Sequence, residues 1–207
     1  AGNTGVGDSD TVAVDTLNPT VTVNIVDTSL NDTDNSSLVT FTFSEAPTNF
    51  TVADITPVGG LITAFTSTID PLVYTATFTA TAGFSGTGSV TVGTAWQDAA
   101  GNTGVGGSDT VAIDTLNPTV TVNIVDASLN DTDNSSLVTF TFSEAPTNFT
   151  VADITPVGGL ITAFTSTIDP LVYTATFTAT AGFSGTGSVT VGTAWQDAAG
   201  NTGVGDS

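Results

Sequence analysis

The chain contains no lysine, arginine, histidine, cysteine or methionine. Without a basic side chain no salt bridge can form between side chains, and 20 acidic groups leave a net charge of −20. A chain with no positive side chain has nothing with which to neutralise phosphate, which excludes nucleic acid and anionic membrane surfaces as partners. The lack of cysteine excludes disulfides and thiol chemistry. No apolar run reaches about 18 residues, so we expect no direct membrane insertion.

The same absences remove most routes to catalysis. Serine and threonine are plentiful, but there is no histidine or lysine to activate them, and an isopeptide cross-link cannot form without lysine. Only carboxylate chemistry remains, for example Glu45 with Asp98 as a glycosidase pair. A domain of this size has little room for a substrate cleft, so the sequence predicts that the protein is not an enzyme.

A tandem repeat dominates what is present. Residues 100–207 repeat residues 1–108 with a period of 99 residues and four mild differences, Asp8/Gly107, Val14/Ile113, Thr28/Ala127 and Gly107/Asp206. Two nearly identical copies indicate a need for length or for many equivalent contacts rather than for specialised chemistry. The neighbours of each repeat are therefore expected to be further identical repeats.

Within each repeat the apolar residues alternate, which is the period of β-strands. Val21, Val23 and Ile25 lie on one side of one segment, and Val39, Phe41 and Phe43 lie on one side of the next. Turn signals such as Gly59-Gly60, Asp70-Pro71 and the glycines from 86 to 88 separate the segments, and one helical turn is conceivable near Thr51 to Asp54. The sequence predicts an all-β fold, with tandem immunoglobulin-like (Ig-like) antiparallel sandwiches of Greek-key type and about seven strands each.

The domain boundaries follow from the stiff Asn18-Pro19 joint between two extended segments. We interpret residues 1–15 as the last strand of a preceding repeat, residues 16–114 as the first complete domain, and residues 115–207 as a second domain whose final strand is cut short. A head-to-tail neighbour could supply that strand. The alternative phase, in which residues 1–15 belong to the domain that follows them, stays open.

Alternate loops of such a sandwich lie at opposite poles, and this places the acids. In a tandem array the far pole of one domain meets the near pole of the next, so the junction gathers eight oxygen-bearing side chains. They are Asp27, Asp32, Asp34 and Asp114 facing Glu144, Asp153, Asp197 and Asn201. At the near pole of the first domain the corresponding group is Asp15, Glu45, Asp54, Asp98 and Asn102, and the far pole of the second carries Asp126, Asp131 and Asp133.

These carboxylates would repel one another unless a cation neutralises them. Ca²⁺ takes six to eight oxygen ligands, and 18 of the 20 acids are the short Asp. The Asp32-Thr33-Asp34 spacing is that of calcium loops, although an ordinary Asx turn explains it equally well. The sequence therefore predicts several Ca²⁺ ions, mainly at domain junctions.

Several segments together resemble a known family: "DTLNPTVTVNIVD", "VTFTFSEA", "FTVADIT", "YTATFTAT" and "WQDAAGNTG". They are similar to the bacterial Ig-like repeats of giant RTX adhesins, in particular the calcium-dependent extender repeats of the ice-binding adhesin. The resemblance implies Ca²⁺ at domain junctions and a spacer on the bacterial cell surface that projects a distal ligand-binding domain, whose ligand this segment does not bind. It also implies ligand roles for Asp15, Asp27, Glu45, Asp54, Asp98, Asn102 and their counterparts 99 residues on.

A ligand-binding repeat is the alternative function. Thr75, Thr77, Thr79 and Thr81 line one side of a strand, as in ice-binding threonine ladders, although a solvated strand face has the same pattern. Trp96 and Trp195 could stack on sugars if exposed, whereas a tryptophan at this position of an Ig-like sandwich is usually core.

Overall fold

The computed structural model describes residues 1–207 and consists of two tandem β-sandwiches. Domain 1 contains β1 (Val21–Ile25), β2 (Ser29–Asn31), β3 (Ser36–Phe43), β4 (Ile55–Val58), β5 (Gly60–Ser67), β6 (Val73–Ala80), β7 (Ser85–Val92) and β8 (Gly107–Asp114). Domain 2 contains β9 (Val120–Ile124), β10 (Ser135–Phe142), β11 (Ile154–Val157), β12 (Gly159–Ser166), β13 (Val172–Ala179) and β14 (Ser188–Val191). The only helical elements are two 3₁₀ turns, Val52–Asp54 and Val151–Asp153.

Two four-stranded sheets face each other in domain 1. Their orders are β1-β3-β6-β5 and β2-β8-β7-β4, and every pairing is antiparallel except that of β2 with β8. Domain 2 repeats the first sheet as β9-β10-β13-β12, while its second sheet contains only β11 and β14. The all-β Ig-like sandwich predicted from alternation is confirmed.

Alternating burial along the strands produces the core. In β3, for example, Val39, Phe41 and Phe43 are buried while the residues between them face outward. Trp96 is fully buried with its ring centroid 4.8 Å from that of Phe43 in an edge-to-face arrangement, and Trp195 repeats this in domain 2. Neither tryptophan presents a face to a sugar, so the core reading of these residues is the correct one.

The structure differs from the predicted strands in two places. β7 begins at Ser85 and runs through Gly86 and Gly88, which the sequence pattern indicated as a turn. A Cβ on Gly88 would lie 2.4 Å from Cδ1 of Ile113, so this glycine allows close packing of β8 rather than a change of direction. The three-residue strand β2 is too short to show a period and was not predicted.

Residues 1–19 form no helix or strand. The assignment of residues 1–15 to a preceding repeat, and the boundaries 16–114 and 115–207, stay predictions. No helix in the structure is long and apolar enough to span a membrane.

Candidate metal centre at the domain junction

Three carboxylates from both domains converge at the junction. Asp114 is the last residue of β8 in domain 1, whereas Glu144 follows β10 and Asp197 follows Trp195 in domain 2. One oxygen from each lies within 4.8 Å of the others. We call Asp114, Glu144 and Asp197 the junction trio.

The same arrangement occurs 99 residues earlier. Oxygens of Asp15, Glu45 and Asp98 also lie within 4.8 Å of one another, and we call these residues the leading trio. In both trios the Asp from the strand or linker before the domain meets a Glu and a buried Asp of the domain itself. The repeat therefore builds one site at the start of each domain.

Backbone geometry around Asp197 explains its orientation. Its Oδ1 accepts hydrogen bonds from the backbone N–H groups of Gly200 and Asn201 at 2.8 and 2.9 Å, and its Oδ2 accepts one from Nδ2 of Asn201 at 2.9 Å. Gly200 has φ of +92°, a left-handed conformation that glycine adopts without strain and that turns the loop back on the carboxylate. Asp197 is 3% exposed, so its charge is held by three donors rather than by water.

Trp195 fixes the base of this loop. Its indole N–H donates to the Gly192 carbonyl at 3.0 Å, and the backbone N–H of Gly203 donates to the Trp195 carbonyl at 2.8 Å. A Cβ on Gly203 would lie 2.1 Å from the indole ring, so only glycine allows the returning chain to cross the ring here. The buried core residue thus positions the acid two residues beyond it.

Domain 1 closes over the same loop from the other side. The backbone N–H of Asp32 donates to Oδ1 of Asn201 at 2.7 Å, and Nδ2 of Asn31 donates to the Ala199 carbonyl at 2.8 Å. Asn201 is consequently fully buried, whereas its counterpart Asn102 at the leading end of domain 1 is partly exposed. Both ends of the Asn201 amide are used in hydrogen bonds, which makes it a residue that positions Asp197 and the Asp32 loop.

The linker is bonded to both domains. On the domain 1 side the buried Thr115 hydroxyl donates to the Thr81 carbonyl at 2.7 Å. On the domain 2 side Nδ2 of Asn117 donates to the Thr202 carbonyl at 3.0 Å, and the Val204 N–H donates to the Pro118 carbonyl at 2.8 Å. The junction is therefore a hydrogen-bonded joint, and Asp114 lies at its centre.

Electrostatics oppose this arrangement of acids. Burial raises the pKa of the Glu144 carboxyl, and the charges of Asp114 and Asp197 raise it further. At the leading trio, burial raises the pKa of Asp98, but hydrogen bonds from the Asn102 side chain and from the backbone of Asn102, Gly101 and Ala100 outweigh it, so that this pKa is lowered overall. Glu144 is thus the acid of the junction trio whose charged form is disfavoured, and the one that a cation would relieve.

The structure separates the predicted ligands into three groups. Six belong to the two trios, and Asn102 and Asn201 bond to the trio aspartates. Asp54 and Asp153 instead cap the 3₁₀ turns, each accepting from a threonine N–H at 2.8 Å. The remaining acids lie between β1 and β3 or between β9 and β10, outside the trios, and are Asp27, Asp32, Asp34, Asp126, Asp131 and Asp133.

Sequence reasoning missed two junction residues, Asn31 and Asn117. Oδ1 of Asn31 accepts from the backbone N–H groups of Thr33 and Asp34, forming the Asx turn that presents Asp32 to domain 2. Nδ2 of Asn117 also lies 3.4 Å from Oδ2 of Asp32. Both were missed because only carboxylates were considered as junction residues. An Asn at the start of an Asx turn and an Asn before a linker proline are nevertheless recognisable signals.

The donor set fits a hard divalent cation. Every side-chain atom offered is a carboxylate oxygen, and oxygens bound to one Ca²⁺ lie at most about 5 Å apart, which the 4.8 Å spread satisfies. Three carboxylates supply only part of the coordination shell of Ca²⁺, and backbone carbonyls or water would complete it. Asp114, Glu144 and Asp197 are the residues that would hold the ion.

The chain is similar to several solved structures of bacterial proteins. InvD of Yersinia pseudotuberculosis is 25% identical, with 94% of this chain and 56% of that chain covered and a TM-score of 0.33. Invasin, described as a bacterial integrin-binding protein, is 22% identical over 83% of this chain and 36% of its own, with a TM-score of 0.43. The chain therefore spans between about one third and three fifths of the length of these proteins. No curated protein matches it.

The family itself is identified by a profile match to both repeats. The description of that family is bacterial Ig-like domain, and the matches cover residues 15–113 and 114–207, almost the whole chain. The two sandwiches, their buried tryptophans and their shared junction loops agree with this assignment. The chain belongs to the bacterial Ig-like domain family, of which it contains two consecutive copies.

Proposed function

We propose that this chain is a non-catalytic extender segment of a bacterial cell-surface adhesin. In this proposal Ca²⁺ binds at the domain junctions and stiffens a rod of tandem domains, which projects a distal ligand-binding domain from the cell. We also propose that the chain is related to the extender repeats of giant RTX adhesins and that it lies outside the cell. The observation that carries it is the junction trio, in which domain 1 supplies one acid and domain 2 supplies two within 4.8 Å.

The mechanism is linkage between metal binding and alignment. Without a cation the trio carries up to three negative charges in a partly buried space, and their repulsion favours separation of the domains. When bound, Ca²⁺ supplies positive charge that converts this repulsion into attraction across the joint. A cation that binds the aligned state more tightly than the open or unfolded state stabilises it by an amount that rises with the logarithm of the cation concentration.

Hydrogen bonds at the junction favour the aligned state even before a cation binds. Asn201 bonds to Asp197 of its own domain and to Asp32 of domain 1, so that one side chain couples the acid loop to the neighbouring domain. Thr115 and Asn117 fix the linker to either side. With strands of eight residues rising about 3.3 Å each, a domain with its loops adds roughly 30 to 40 Å to the rod.

Neither alternative function has comparable support. For a glycosidase, Glu45 and Asp98 would need a cleft, but they line neither the cavity beside Leu30 and Ile113 nor the groove beside Leu129 and Phe183. For ice binding, Thr75 and Thr77 do lie beside Thr66 and Thr63 of β5, but a bulge between Thr63 and Thr66, with Ala64 at φ of +50°, interrupts the flatness of the face. An ice-growth assay on this chain is expected to show no activity.

Small-angle scattering tests the extender proposal. With calcium the two-domain particle is expected to have a longer maximum dimension and a narrower distribution of shapes than with chelator. Asp114→Asn removes one acid of the junction trio and should abolish the difference, while Asp8→Asn, which lowers the charge equally in the exposed leading segment, should leave it intact. Equal scattering with calcium and with chelator would refute the proposal.

A further inference from the structure

The first sheet of each domain has an outer face without charge. None of the 20 acids lies on the strands of these sheets, which are β1, β3, β6 and β5 in domain 1 and β9, β10, β13 and β12 in domain 2. Most of the acids lie in loops and turns, and Asp109 and Asp114 lie on β8 of the other sheet. On a chain with a net charge of −20, two copies can therefore bring these faces together without opposing carboxylates.

Threonine dominates this outer surface of the first sheets, which we call the threonine face. Neighbouring strands contribute one residue each to its two central rows in domain 1, which are Thr40-Thr75-Thr66 and Leu38-Thr77-Thr63. The same rows occur in domain 2, beginning at Thr139 and Leu137. Each domain thus presents the same ordered surface.

Aliphatic side chains on the threonine face lack cover. Leu38 is 49% exposed and Leu61 is 67% exposed, and their counterparts Leu137 and Leu160 are 49% and 66% exposed. Burial of such apolar surface is favourable by about 25 cal/mol per Å². The neighbouring hydroxyls can both donate and accept hydrogen bonds, so the threonines of one copy can bond to those of another. The face is therefore complementary to itself.

Pairing of strand edges is the other way in which two such sheets could associate, and the structure opposes it. β5 is the outermost strand on one side of its sheet, and a bulge between Thr63 and Thr66 interrupts its register. Ala64 in this bulge has φ of +50°, and Ala163 repeats it at +49°. Bulges on an edge strand hinder the addition of a further strand, which leaves the face of the sheet for contact.

The area of the threonine face is enough for a contact that uses both domains. Four strands about 4.8 Å apart, with eight residues rising about 3.3 Å each, give a footprint of roughly 19 by 26 Å, or about 500 Å² per domain. A stable contact buries about 800 Å² on each partner. One domain alone therefore supplies a weak contact, whereas the two domains of one chain together offer roughly 1,000 Å².

We propose that the threonine face is a lateral interface between copies of this chain, which pack side by side with their first sheets face to face. The same surface on both copies forms the contact, as in a two-fold symmetric pair. Sheets packed in this way lie about 10 Å apart, with their strands within about 30° of each other. Contacts made by the two domains of one chain reinforce each other, because the first raises the effective concentration for the second.

This interface does not depend on calcium, but it does depend on salt. Each threonine face lies within one domain, so its contact needs no ion at the junction trio. The acids outside the face still give each copy a charge of −20, which opposes association at low salt. In about 1 M NaCl the screening length falls to about 3 Å, so association should be strongest there.

Sedimentation equilibrium in about 1 M NaCl with chelator tests the interface separately from the extender proposal. The mass of the wild-type chain is expected to rise above 20.6 kDa as its concentration increases from about 10 μM to about 1 mM. Leu38→Asp combined with Leu137→Asp adds one charge to each threonine face and should weaken association at least about tenfold.

The matched control places the same charge on the other sheet. Val58 on β4 and Val157 on β11 are 52% and 51% exposed, close to the 49% of the two leucines. Val58→Asp combined with Val157→Asp should therefore associate as the wild type does. All of these positions are exposed, so melting temperatures should show that each variant is folded.

Opposite charges provide a second test. The chain with Leu38→Lys and Leu137→Lys and the chain with Leu38→Asp and Leu137→Asp should each associate more weakly alone than in an equimolar mixture. In the mixture the added charges attract across the contact, where partial burial limits their screening by salt. The proposal is overturned if the wild type stays at 20.6 kDa throughout, if the Leu38 and Val58 variants with Asp associate alike, or if mixing the Asp and Lys chains brings no gain.

Discussion

Glu144→Gln is expected to change the stability of this chain in opposite directions with and without calcium. Glu144 lies between Asp114 and Asp197 in the junction trio, and its raised pKa shows that its charged form is disfavoured there. In chelator the substitution removes a repelled charge and should raise the melting temperature. With saturating calcium it removes an anionic ligand and should lower it.

The geometry sets the size of the effect. Two unit charges 4.8 Å apart repel by about 0.9 kcal/mol in bulk water and by about 3.5 kcal/mol at an effective dielectric constant of 20. Glu144 is partly exposed, so solvent screening keeps the gain near the lower figure, about 1 to 2 kcal/mol for its two neighbours. For a domain of about 100 residues that corresponds to roughly 4 to 16 °C in melting temperature.

In chelator, the charge of Glu144 should also make the unfolding free energy depend on pH. The pKa of Glu144 in the folded chain lies above its ordinary value of 4.5, so the folded state holds this proton more tightly than the unfolded state does. The unfolding free energy of the wild type should therefore fall as the pH rises from 4.5 through the folded pKa, and the deficit should persist at higher pH. Glu144→Gln should remove this component.

Calcium binding adds stability in proportion to the logarithm of its concentration, about 2.7 kcal/mol when free calcium is 100 times its dissociation constant. Thermal melts of wild type, Glu144→Gln and Asp8→Asn in calcium and in chelator would measure all of these terms. Asp8→Asn changes net charge equally in an exposed segment and should shift neither melt. If Glu144→Gln lowers the melting temperature by the same amount in both buffers, the carboxylates neither repel nor share a cation, and the reasoning fails.

Three further substitutions test the structure around the sites. Gly104→Ala should destabilise domain 1 by about 1 to 3 kcal/mol, because a Cβ there would lie 2.2 Å from the Trp96 ring; unchanged denaturant unfolding would contradict this. Thr115→Val should cost about 1 to 3 kcal/mol by leaving the groups bonded to its buried hydroxyl unpaired, while Thr16→Val, in the exposed repeat of the same sequence, should cost nothing, and equal losses would contradict the assigned contacts. Asp98 has a lowered pKa, so the stability it contributes is present above its ordinary pKa of 3.8 and is lost as the pH falls through the lower folded value. Asp98→Asn in chelator should flatten that acid dependence in unfolding experiments, and an unchanged slope would count against it.

Much of the fold could be predicted because its causes are local. Alternating residues such as Val39, Phe41 and Phe43 have only one arrangement that buries one side of a strand, and the structure has it. The strand limits around Gly86 and Gly88 could not be predicted, because whether a glycine turns the chain or admits a neighbour depends on what lies across from it. β2 escaped prediction because three residues paired in parallel with a distant strand leave no periodic signal.

The candidate site was predictable only in part. Loops at one pole must lie near the next domain, which placed Asp114 with Glu144 and Asp197 from sequence alone. The same reasoning also gathered Asp153, whose side chain instead caps a turn with Thr150, because a short carboxylate satisfies local N–H groups wherever they are available. Differences of a few ångströms decide whether an acid joins a trio or caps a turn. Knowing only that the acids lie at the same pole of the domain does not specify such distances.

The sequence by itself determined three properties: the repeat, the β-architecture and a surface charge that no side chain of the chain can neutralise. These depend on composition, period and alternation, which survive any detail of packing. Only the tertiary structure decided which acids meet and that Asn31 and Asn117 join the two domains. Such features arise from contacts between residues distant in sequence, where backbone direction and neighbouring side chains select among arrangements that the residue pattern alone permits equally.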